Sequence, residues 1–336
     1  MRCDLTGAGD VMTFDPMEIT MSIGHHRMAA ARTMAVAALL SLGALGCRTT
    51  QTPLIGGEEA RWTAGHQFDH VVVIVLENRD YAEVVNDPYM RTLEQRGVLL
   101  TNFHGIAHPS YPNYLAMIGG NTFGAEGDTQ RDIDGKMIAD LLEPKGLTWA
   151  QYAEDYPGGP GNCFTKNSSG GLYARKHVPF MSFVSVQKNP IRCANVLNAS
   201  KFDHRHLPAY AFYTPNMQND GHDADTKHAM TWLKGFLDPI LADTASMRTT
   251  LIEVTYDESD HYSDKTNRIF TVLLGGMLRP GTTSAQPLNH YSMLRTVEAN
   301  FELGTLGNEA NVAPITGIWP TDSATHAPAA TPPAIK

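Results

Sequence analysis

The sequence of 336 residues has little cysteine, no excess of basic charge and no long apolar run. It holds 26 Lys and Arg against 35 Asp and Glu, with a net charge of −9. An acidic chain without a basic run is a poor nucleic-acid binder, so no nucleic-acid partner is expected. Since 42% of the residues are hydrophobic and only 18% are charged, the chain can bury a sizeable core.

Several short catalytic motifs are also absent. There is no G-x-S-x-G, which argues against an α/β-hydrolase nucleophile turn. The sequence has no H-E-x-x-H and no P-loop, so neither a zinc protease of that type nor a Walker-type nucleotide site is indicated. Ser185 and Lys188 match S-x-x-K, but the partner motifs of that enzyme class are missing.

Residues 1–47 have the pattern of an export leader. Arg27 and Arg32 precede an apolar stretch, Met34–Leu45, that is too short for a membrane-spanning helix. Cys47 follows small and apolar residues, as at a bacterial lipoprotein cleavage site, so we expect a lipidated Cys47 and membrane anchoring. Ordinary cleavage nearby and an uncleaved anchor are the alternatives. The predicted location is exported: periplasmic, outer-membrane lipoprotein or secreted.

The four cysteines divide between the leader and the remaining chain. Cys3 and Cys47 lie in the leader, which leaves Cys163 and Cys193. In an oxidising compartment two remaining cysteines predict one disulfide, and two free buried thiols are the alternative.

Apolar β-branched runs alternate with segments of helical periodicity along residues 66–320, which we expect to form one domain. This alternation predicts an α/β fold with a mostly parallel central sheet and helices on both faces. Residues 158–206 break the alternation and predict a small irregular cap or insertion. Residues 322–336 are rich in Ala, Pro and Thr and predict a disordered tail. The predicted strands are Phe68–Asn78, Val98–Ile106, Thr148–Asp155, Tyr210–Asn216, Thr249–Asp260 and Arg268–Gly276, and the predicted helices are Asp87–Gly97, Tyr111–Gly120, Lys136–Gly146, Ala229–Ala242 and Tyr291–Leu303.

Two of the predicted strands end in acidic and amide residues. Glu77 and Asn78 follow the first strand, and Asp257 and Glu258 follow the strand that begins at Thr249. Ligands of open α/β sheets bind beyond the carboxyl ends of strands, and oxygen ligands suit a hard cation. A turn, a helix cap or a solvent-exposed pair would explain either doublet alone, but two doublets together favour a shared cation site.

Ser110 lies between Pro109 and Pro112 at the predicted start of a helix. As the N-cap it would accept a hydrogen bond from a free backbone amide, and Pro112 is tolerated in the first helical turn. The same position suits a nucleophile, because the positive helix end favours an anion and a cation could ionise the hydroxyl. The two roles are compatible.

The chain has 14 histidines, and a single histidine is more often a surface or structural residue than a catalytic one. His108 precedes Pro109 and Ser110, His222 follows a strand, and His104 lies at the end of another strand. His177 lies beside Lys176 in the irregular segment, where it could line a substrate pocket or face water.

Six ordered segments carry a family resemblance: VVIVLENRDYAEV, TNFHGIAHPSYPNYLAMIGGNT, YARKHVPF, YTPNMQNDGHD, TYDESDHYSDKTNRIFTVLLGG and NHYSMLRTVEANFEL. They resemble the phosphoesterase family of bacterial and fungal acid phosphatases and phosphatidylcholine-type phospholipases C, which has the alkaline phosphatase superfamily fold. The resemblance covers about Phe68 to Trp319.

The resemblance implies roles for individual residues. One divalent metal ion of unspecified identity would be bound by Glu77, Asn78, Asp257 and Ser110, and Ser110 would be the nucleophile that becomes phosphorylated. Catalytic His108 and His222 would hold phosphoryl oxygens or protonate the leaving group. From their positions in the sequence, we also expect His104, Lys176, His177 and Glu258 to bind the substrate.

The expected activity is hydrolysis of phosphate monoesters through a phosphoserine intermediate. The expected partner is a small phosphate ester, with a lipid head group as a further option. Two alternatives remain open: a phospholipase C-type phosphodiesterase or phosphoinositide phosphatase, and a non-enzymatic exported metal-binding protein. Glu258 stands where some family members have Asp, and His261 where many have Gly, so the outer part of the site differs from the family pattern.

Overall fold

The structure, a computed structural model, describes residues 66–261, 265–308 and 311–319. The predicted leader with Cys47 and the predicted tail at 322–336 lie outside the described residues. Within the described residues, no helix combines the length and apolarity needed to cross a bilayer.

The described residues contain thirteen strands and nine α-helices. The strands are β1 (His70–Leu76), β2 (Val98–Leu100), β3 (Phe103–His104), β4 (Trp149–Ala153), β5 (Ser168–Ser169), β6 (Tyr173–Ala174), β7 (Val196–Asn198), β8 (Tyr210–Thr214), β9 (Thr250–Tyr256), β10 (Arg268–Ile269), β11 (Val272–Leu274), β12 (Thr282–Ser284) and β13 (Leu288–Asn289). The helices are α1 (Tyr81–Val84), α2 (Pro88–Arg96), α3 (Ser110–Gly119), α4 (Ile138–Leu142), α5 (Val184–Gln187), α6 (Pro190–Cys193), α7 (Thr226–Ala242), α8 (Thr244–Met247) and α9 (His290–Asn300).

The central sheet has eight strands in the order β12-β2-β11-β9-β1-β8-β4-β7. All neighbouring pairs are parallel except the two that involve β11, so β11 alone runs against the other strands. A separate sheet joins β10, β3 and β13, and β5 pairs with β6. The predicted α/β class with a mostly parallel central sheet is confirmed.

Helices cover both faces of this sheet. Tyr210 of β8 lines a small internal cavity together with Met117 of α3 and Met293 of α9. Tyr213 of the same strand packs on the ring of Phe236 in α7, with centroids 4.4 Å apart. Residues three apart on a strand point to opposite faces, so α3 and α9 lie on one face and α7 lies on the other.

Burial on both faces explains the composition of the central strands. Every residue of β1 after His70 is buried, as is every residue of β9. Strands of this kind form continuous apolar runs rather than alternating patterns, because neither face meets water. The run Val71–Leu76 therefore forms the middle of the sheet, with β9 and β8 as its neighbours.

Two predicted strands are each divided between two sheets. The predicted strand Val98–Ile106 forms β2 in the central sheet and β3 in the smaller one, with a turn between them. The predicted strand Arg268–Gly276 divides in the same way into β10 and β11. Apolar periodicity indicates an extended chain but does not specify the pairing partner, so the sequence pattern could not locate either break.

The irregular segment 158–206 is not wholly a cap. Its Val196–Asn198 pairs in parallel with β4 and forms the edge strand of the central sheet, which corrects the predicted boundary. Three residues are too few for a recognisable strand pattern.

Cys163 and Cys193 form the predicted disulfide, with Cα atoms 5.6 Å apart. The disulfide closes most of the segment 158–206 into a loop.

Candidate active site

The carboxyl ends of β1 and β9 place the two acidic doublets side by side. These strands pair in register from His70 opposite Thr250 to Leu76 opposite Tyr256, so the residues that follow them emerge together. The backbone amide of Asp257 donates to the Leu76 carbonyl, and the backbone amide of Asn78 donates to Asp257 Oδ1 at 3.3 Å. Asn78 has φ +30°, a sparsely populated conformation that is common at functional sites.

Ser110 lies across from this edge as the first residue of α3, and Pro109 is the N-cap residue. The predicted capping role of Ser110 is therefore wrong, because its side chain makes no bond to the helix amides. Instead, Asp128 Oδ1 accepts from the Tyr111 amide at 3.1 Å. Asn113 holds the preceding loop, since its Oδ1 accepts from the amides of Ile106 and Ala107.

The Ser110 hydroxyl is buried between two carboxyl groups. Its Oγ lies 3.1 Å from Glu77 Oε2 and 3.1 Å from Glu258 Oε1. The other oxygen of Glu258 contacts His108 Nδ1. Ser110, Glu258 and His108 therefore form a continuous chain of polar contacts along which a proton could move.

Glu77 is fully buried and is surrounded by donors. Tyr114 Oη donates to its Oε1 at 2.8 Å, and His177 Nε2 lies 2.9 Å from the same oxygen. Burial alone would raise the pKa of Glu77, but the positive charges of His177 and Lys176 and the His177 hydrogen bond lower it to about 2. His177 is affected reciprocally: burial lowers its pKa, but Glu77 and Asp220 together raise it to about 9.

The pKa values of Asp257 and Glu258 are raised, in contrast to that of Glu77. Burial and the neighbouring charges of Glu77 and Glu258 raise the pKa of Asp257 well above its usual value. Burial and the charge of Glu77 raise the pKa of Glu258 to about 8. Three carboxyl groups so close together are short of positive charge, which is the condition that a bound cation relieves.

The oxygen atoms at this edge fit a small divalent cation. The side-chain amide oxygen of Asn78 faces Glu77 Oε2 and Asp257 Oδ1, each at 3.0 Å. If the amide group is rotated by 180°, its nitrogen takes this place and donates a hydrogen bond to both carboxyl oxygens. Adjacent oxygens around a cation with bonds of about 2.1 Å lie roughly 3 Å apart. No group of three or more His, Cys, Asp or Glu among the described residues has a metal-site arrangement, so the fit depends on the amide of Asn78 and the hydroxyl of Ser110.

The other predicted site residues differ in how closely they approach the cluster formed by Glu77, Ser110, Asp257 and Glu258. Lys176 Nζ pairs with Asp128 Oδ2 at 2.8 Å. The His222 ring lies 6.2 Å from that of His177 and bonds Asp223, with a third of its side chain exposed. His104 is not brought into the cluster, because its ring nitrogens bond the Thr266 carbonyl and Asn102.

Some residues of the site were missed by sequence reasoning. Tyr114 is four residues after Ser110 and thus on the same face of α3, a spacing that could have identified it.

Arg79 follows the Glu77–Asn78 doublet, and its guanidinium donates to the carbonyls of Asn78, Gly221 and Ala224. It joins the end of β1 to the loop that carries His222. No local signal marks Asp128, which lies in a loop.

Comparison with known proteins gives consistent matches. The profile of the phosphoesterase family matches residues 85–304. A probable acid phosphatase of Kluyveromyces lactis is 40% identical over 75% of this chain and 63% of its own length. An acid phosphatase of Aspergillus fumigatus is 39% identical over 72% of this chain and 57% of its own length. The chain thus matches about three-fifths of the length of these fungal relatives.

A bacterial relative matches over more of its length. A phosphatidylinositol-3-phosphatase of Mycobacterium tuberculosis is 34% identical over 86% of this chain and 94% of its own length. The fold resembles that of a Vibrio parahaemolyticus protein in the alkaline phosphatase superfamily, with a TM-score of 0.50 and 13% identity over 74% of this chain and 71% of that one. By the extent of its profile match and by these relatives, the chain belongs to the phosphoesterase family.

Proposed function

We propose that this chain hydrolyses phosphate monoesters, with Ser110 as the nucleophile. The observation that supports this most is the position of the Ser110 hydroxyl, which is buried between Glu77 and Glu258 at the first residue of α3. A serine held at a helix start by two carboxyl groups is poised to lose its proton and attack an electrophile. The fungal relatives named as acid phosphatases support a phosphorus centre.

The first half of the reaction transfers the phosphoryl group to the enzyme. Ser110 Oγ forms a bond to phosphorus while the bond from phosphorus to the leaving oxygen breaks. When Glu258 is ionised, the Ser110 proton passes to its Oε1, while its other oxygen contacts His108. His222 lies at the more exposed side of the cluster and protonates the leaving alkoxide, and such general acid catalysis contributes about 10²–10⁴-fold.

The second half returns the enzyme to its starting state. A water molecule forms a bond to phosphorus and gives one proton to the deprotonated His222, while the bond from phosphorus to Ser110 Oγ breaks. The proton on Glu258 returns to Ser110 Oγ, and inorganic phosphate is released. A divalent cation held by Glu77, Asn78, Asp257 and Ser110 would supply positive charge beside the reacting oxygens. The Lys176 ammonium adds positive charge that acts on Glu77.

A phosphoinositide monoester is the second candidate substrate. The relative named as a phosphatidylinositol-3-phosphatase matches over 94% of its own length, so its size is close to that of this chain. Hydrolysis of phosphatidylinositol 3-phosphate in vesicles, compared with that of p-nitrophenyl phosphate, would distinguish the two substrate classes. A higher rate on bis(p-nitrophenyl) phosphate than on the monoester would instead indicate a phosphodiesterase.

The nucleophile is tested by Ser110→Ala, with Ser185→Ala as the matched control. Ser185 is a partly exposed serine whose hydroxyl has no hydrogen-bond partner among the described residues. We expect Ser110→Ala to abolish turnover of p-nitrophenyl phosphate and Ser185→Ala to retain it. Acid-quenched wild-type enzyme should carry phosphate on the peptide that contains Ser110. Full turnover by Ser110→Ala would refute the assignment, and an inactive wild type would favour a binding protein.

The cation is tested by chelation and addition of single metals. We expect the dialysed chelated enzyme to lose activity and to regain it with one or more divalent ions. A thermal shift in the same titration would report binding independently of turnover. Undiminished activity in fully metal-free enzyme would contradict the proposed cation.

A further inference from the structure

Asp128 links two positively polarised groups, the backbone amide of Tyr111 and the ammonium of Lys176. Its Oδ1 accepts from the Tyr111 amide at 3.1 Å, and its Oδ2 lies 2.8 Å from Lys176 Nζ. Asp128 comes from the loop between α3 and α4, and 38% of its side chain is exposed. The carboxylate therefore spans from the first turn of α3 to Lys176 and remains open to solvent on its outer side.

Both donors that Asp128 occupies are linked to the proposed reacting groups, one by sequence and one by charge. The Tyr111 amide is adjacent in sequence to Ser110 and has no intrahelical partner, as is usual for a first-turn amide. Burial alone would lower the pKa of Lys176, but the charges of Glu77, Asp128 and Asp257 raise it. The ammonium is thus held in its charged form within the field of the strand-end carboxylates.

We propose that Asp128 is a displaceable internal anion that competes with the phosphoryl group for the Tyr111 amide and the Lys176 ammonium. This inference rests on the proposed function. A carboxylate and a phosphoryl oxygen accept the same kinds of hydrogen bond, and two anions cannot share the donors without repulsion. Asp128 therefore weakens the binding of inorganic phosphate, the product, and favours its release.

The charge environment of Asp128 supports competition rather than simple support of Lys176. Its Oδ1 is bonded to the backbone amide of Tyr111, the residue directly after Ser110, so this carboxylate lies near the position of a phosphoryl group bonded to Ser110. Any phosphoryl group bonded to Ser110 would experience the same negative field. A residue that served only to orient Lys176 would not need the second contact with the Tyr111 amide.

The test is the inhibition constant of inorganic phosphate in Asp128→Asn, measured against p-nitrophenyl phosphate hydrolysis. Asparagine keeps the size and an acceptor for the Tyr111 amide but removes the charge. We expect the inhibition constant to fall about tenfold, with a parallel fall in KM and no rise in kcat, because a charge-assisted contact passes to the ligand. Asp128→Ala should shift both constants in the same direction.

Asp132→Asn is the matched control. Asp132 lies in the same loop and pairs with Arg175, the neighbour of Lys176, through Oδ1 at 2.5 Å. We expect its phosphate inhibition constant to stay within about twofold of wild type, because the Asp132 carboxylate bonds Arg175 and Gln187 rather than the Tyr111 amide or Lys176. Lys176→Gln should weaken phosphate inhibition, which is the opposite direction to Asp128→Asn.

An unchanged or weaker phosphate inhibition in Asp128→Asn, with an unchanged melting temperature, would overturn the proposal and leave Asp128 a positioning residue for Lys176. Calorimetric titration of inorganic phosphate into wild type and Asp128→Asn separates this inference from the proposed function, since it requires no turnover. Tighter binding in the variant supports the inference even if no tested ester is hydrolysed. Equal or weaker binding overturns it even if Ser110 proves to be the nucleophile.

Discussion

Two glutamates on neighbouring strands are almost equally buried and have opposite properties. Glu77, at the end of β1, is 0% exposed, and Glu253, in the middle of β9, is 2% exposed. The pKa of Glu77 is lowered to about 2, whereas that of Glu253 is raised to about 8. The side chain and the degree of burial are the same, so the difference lies in the neighbouring groups.

Their surroundings explain this contrast. Glu77 receives a hydrogen bond from Tyr114 and pairs with His177. Burial alone raises the pKa of Glu253, and its side chain borders a cavity of about 10 Å³ lined by Tyr210, His290 and five apolar residues. This volume suffices for about one water molecule. Partners converge at the carboxyl edge of the sheet but not at its middle, where helices α3 and α9 cover the strands with apolar side chains.

The largest expected difference between Glu77 and Glu253 is the effect on activity when each is replaced by glutamine. We expect Glu77→Gln to lower kcat/KM for p-nitrophenyl phosphate by about 10³-fold, because the change removes the charge that pairs with His177 and faces Ser110. Glu253→Gln should keep activity within about twofold. Circular dichroism of both variants checks that they are folded. A Glu77→Gln enzyme within tenfold of wild type would mean that the charge of Glu77 has no direct part in the reaction.

The pH dependence of stability should show the cost of burying Glu253. A raised folded-state pKa means that the folded chain holds this proton while the unfolded chain loses it above the ordinary pKa of 4.5. Stability therefore falls as pH rises from 4.5 to about 8. Glu253→Gln removes this loss, so the variant should be more stable than wild type by about 3 to 5 kcal/mol at about pH 8.5 and by about 1 kcal/mol at about pH 5.5.

Urea unfolding at both pH values measures this difference. The titratable groups beside the cavity are His290, whose pKa is lowered by burial to about 4, and Tyr210, whose pKa is raised by burial and by Glu253. Neither changes its charge between the two pH values. Glu126→Gln, at an exposed loop position, should behave like wild type throughout. A stability gain for Glu253→Gln that is equal at both pH values would show that packing rather than charge is responsible.

Removing one donor from Glu77 should have the smallest effect. Tyr114→Phe deletes the hydroxyl that donates to Glu77 Oε1 at 2.8 Å. We expect a loss of about 1–2 kcal/mol in the free energy of unfolding and about tenfold in kcat/KM. Tyr256→Phe is the control, because the Tyr256 hydroxyl is buried without a partner among the described residues, and it should be neutral or stabilising. Equal effects of the two variants would remove the hydrogen bond from the explanation.

Sequence patterns were sufficient for the class of fold and for the edge of the sheet at which the candidate site lies. The apolar runs predicted β1, β8 and β9, and the acidic doublets that follow β1 and β9 predicted the edge where Glu77 and Asp257 lie with Ser110. Sequence patterns did not locate the breaks between β2 and β3 or between β10 and β11. They also gave Ser110 a capping role that the structure instead assigns to Asp128.

Periodicity, turn residues and strand-end chemistry determined by themselves that this chain forms an α/β sheet with its polar groups at one edge. These properties are local, since each depends on the conformational preference or burial of a few consecutive residues. Only the tertiary structure decided which groups meet there. The pairing of Glu77 with His177 spans 100 residues, and Asp128 reaches the Tyr111 amide from a loop. The contrast between Glu77 and Glu253 follows from such contacts, because charge and hydrogen bonding act through space between residues that are distant in sequence.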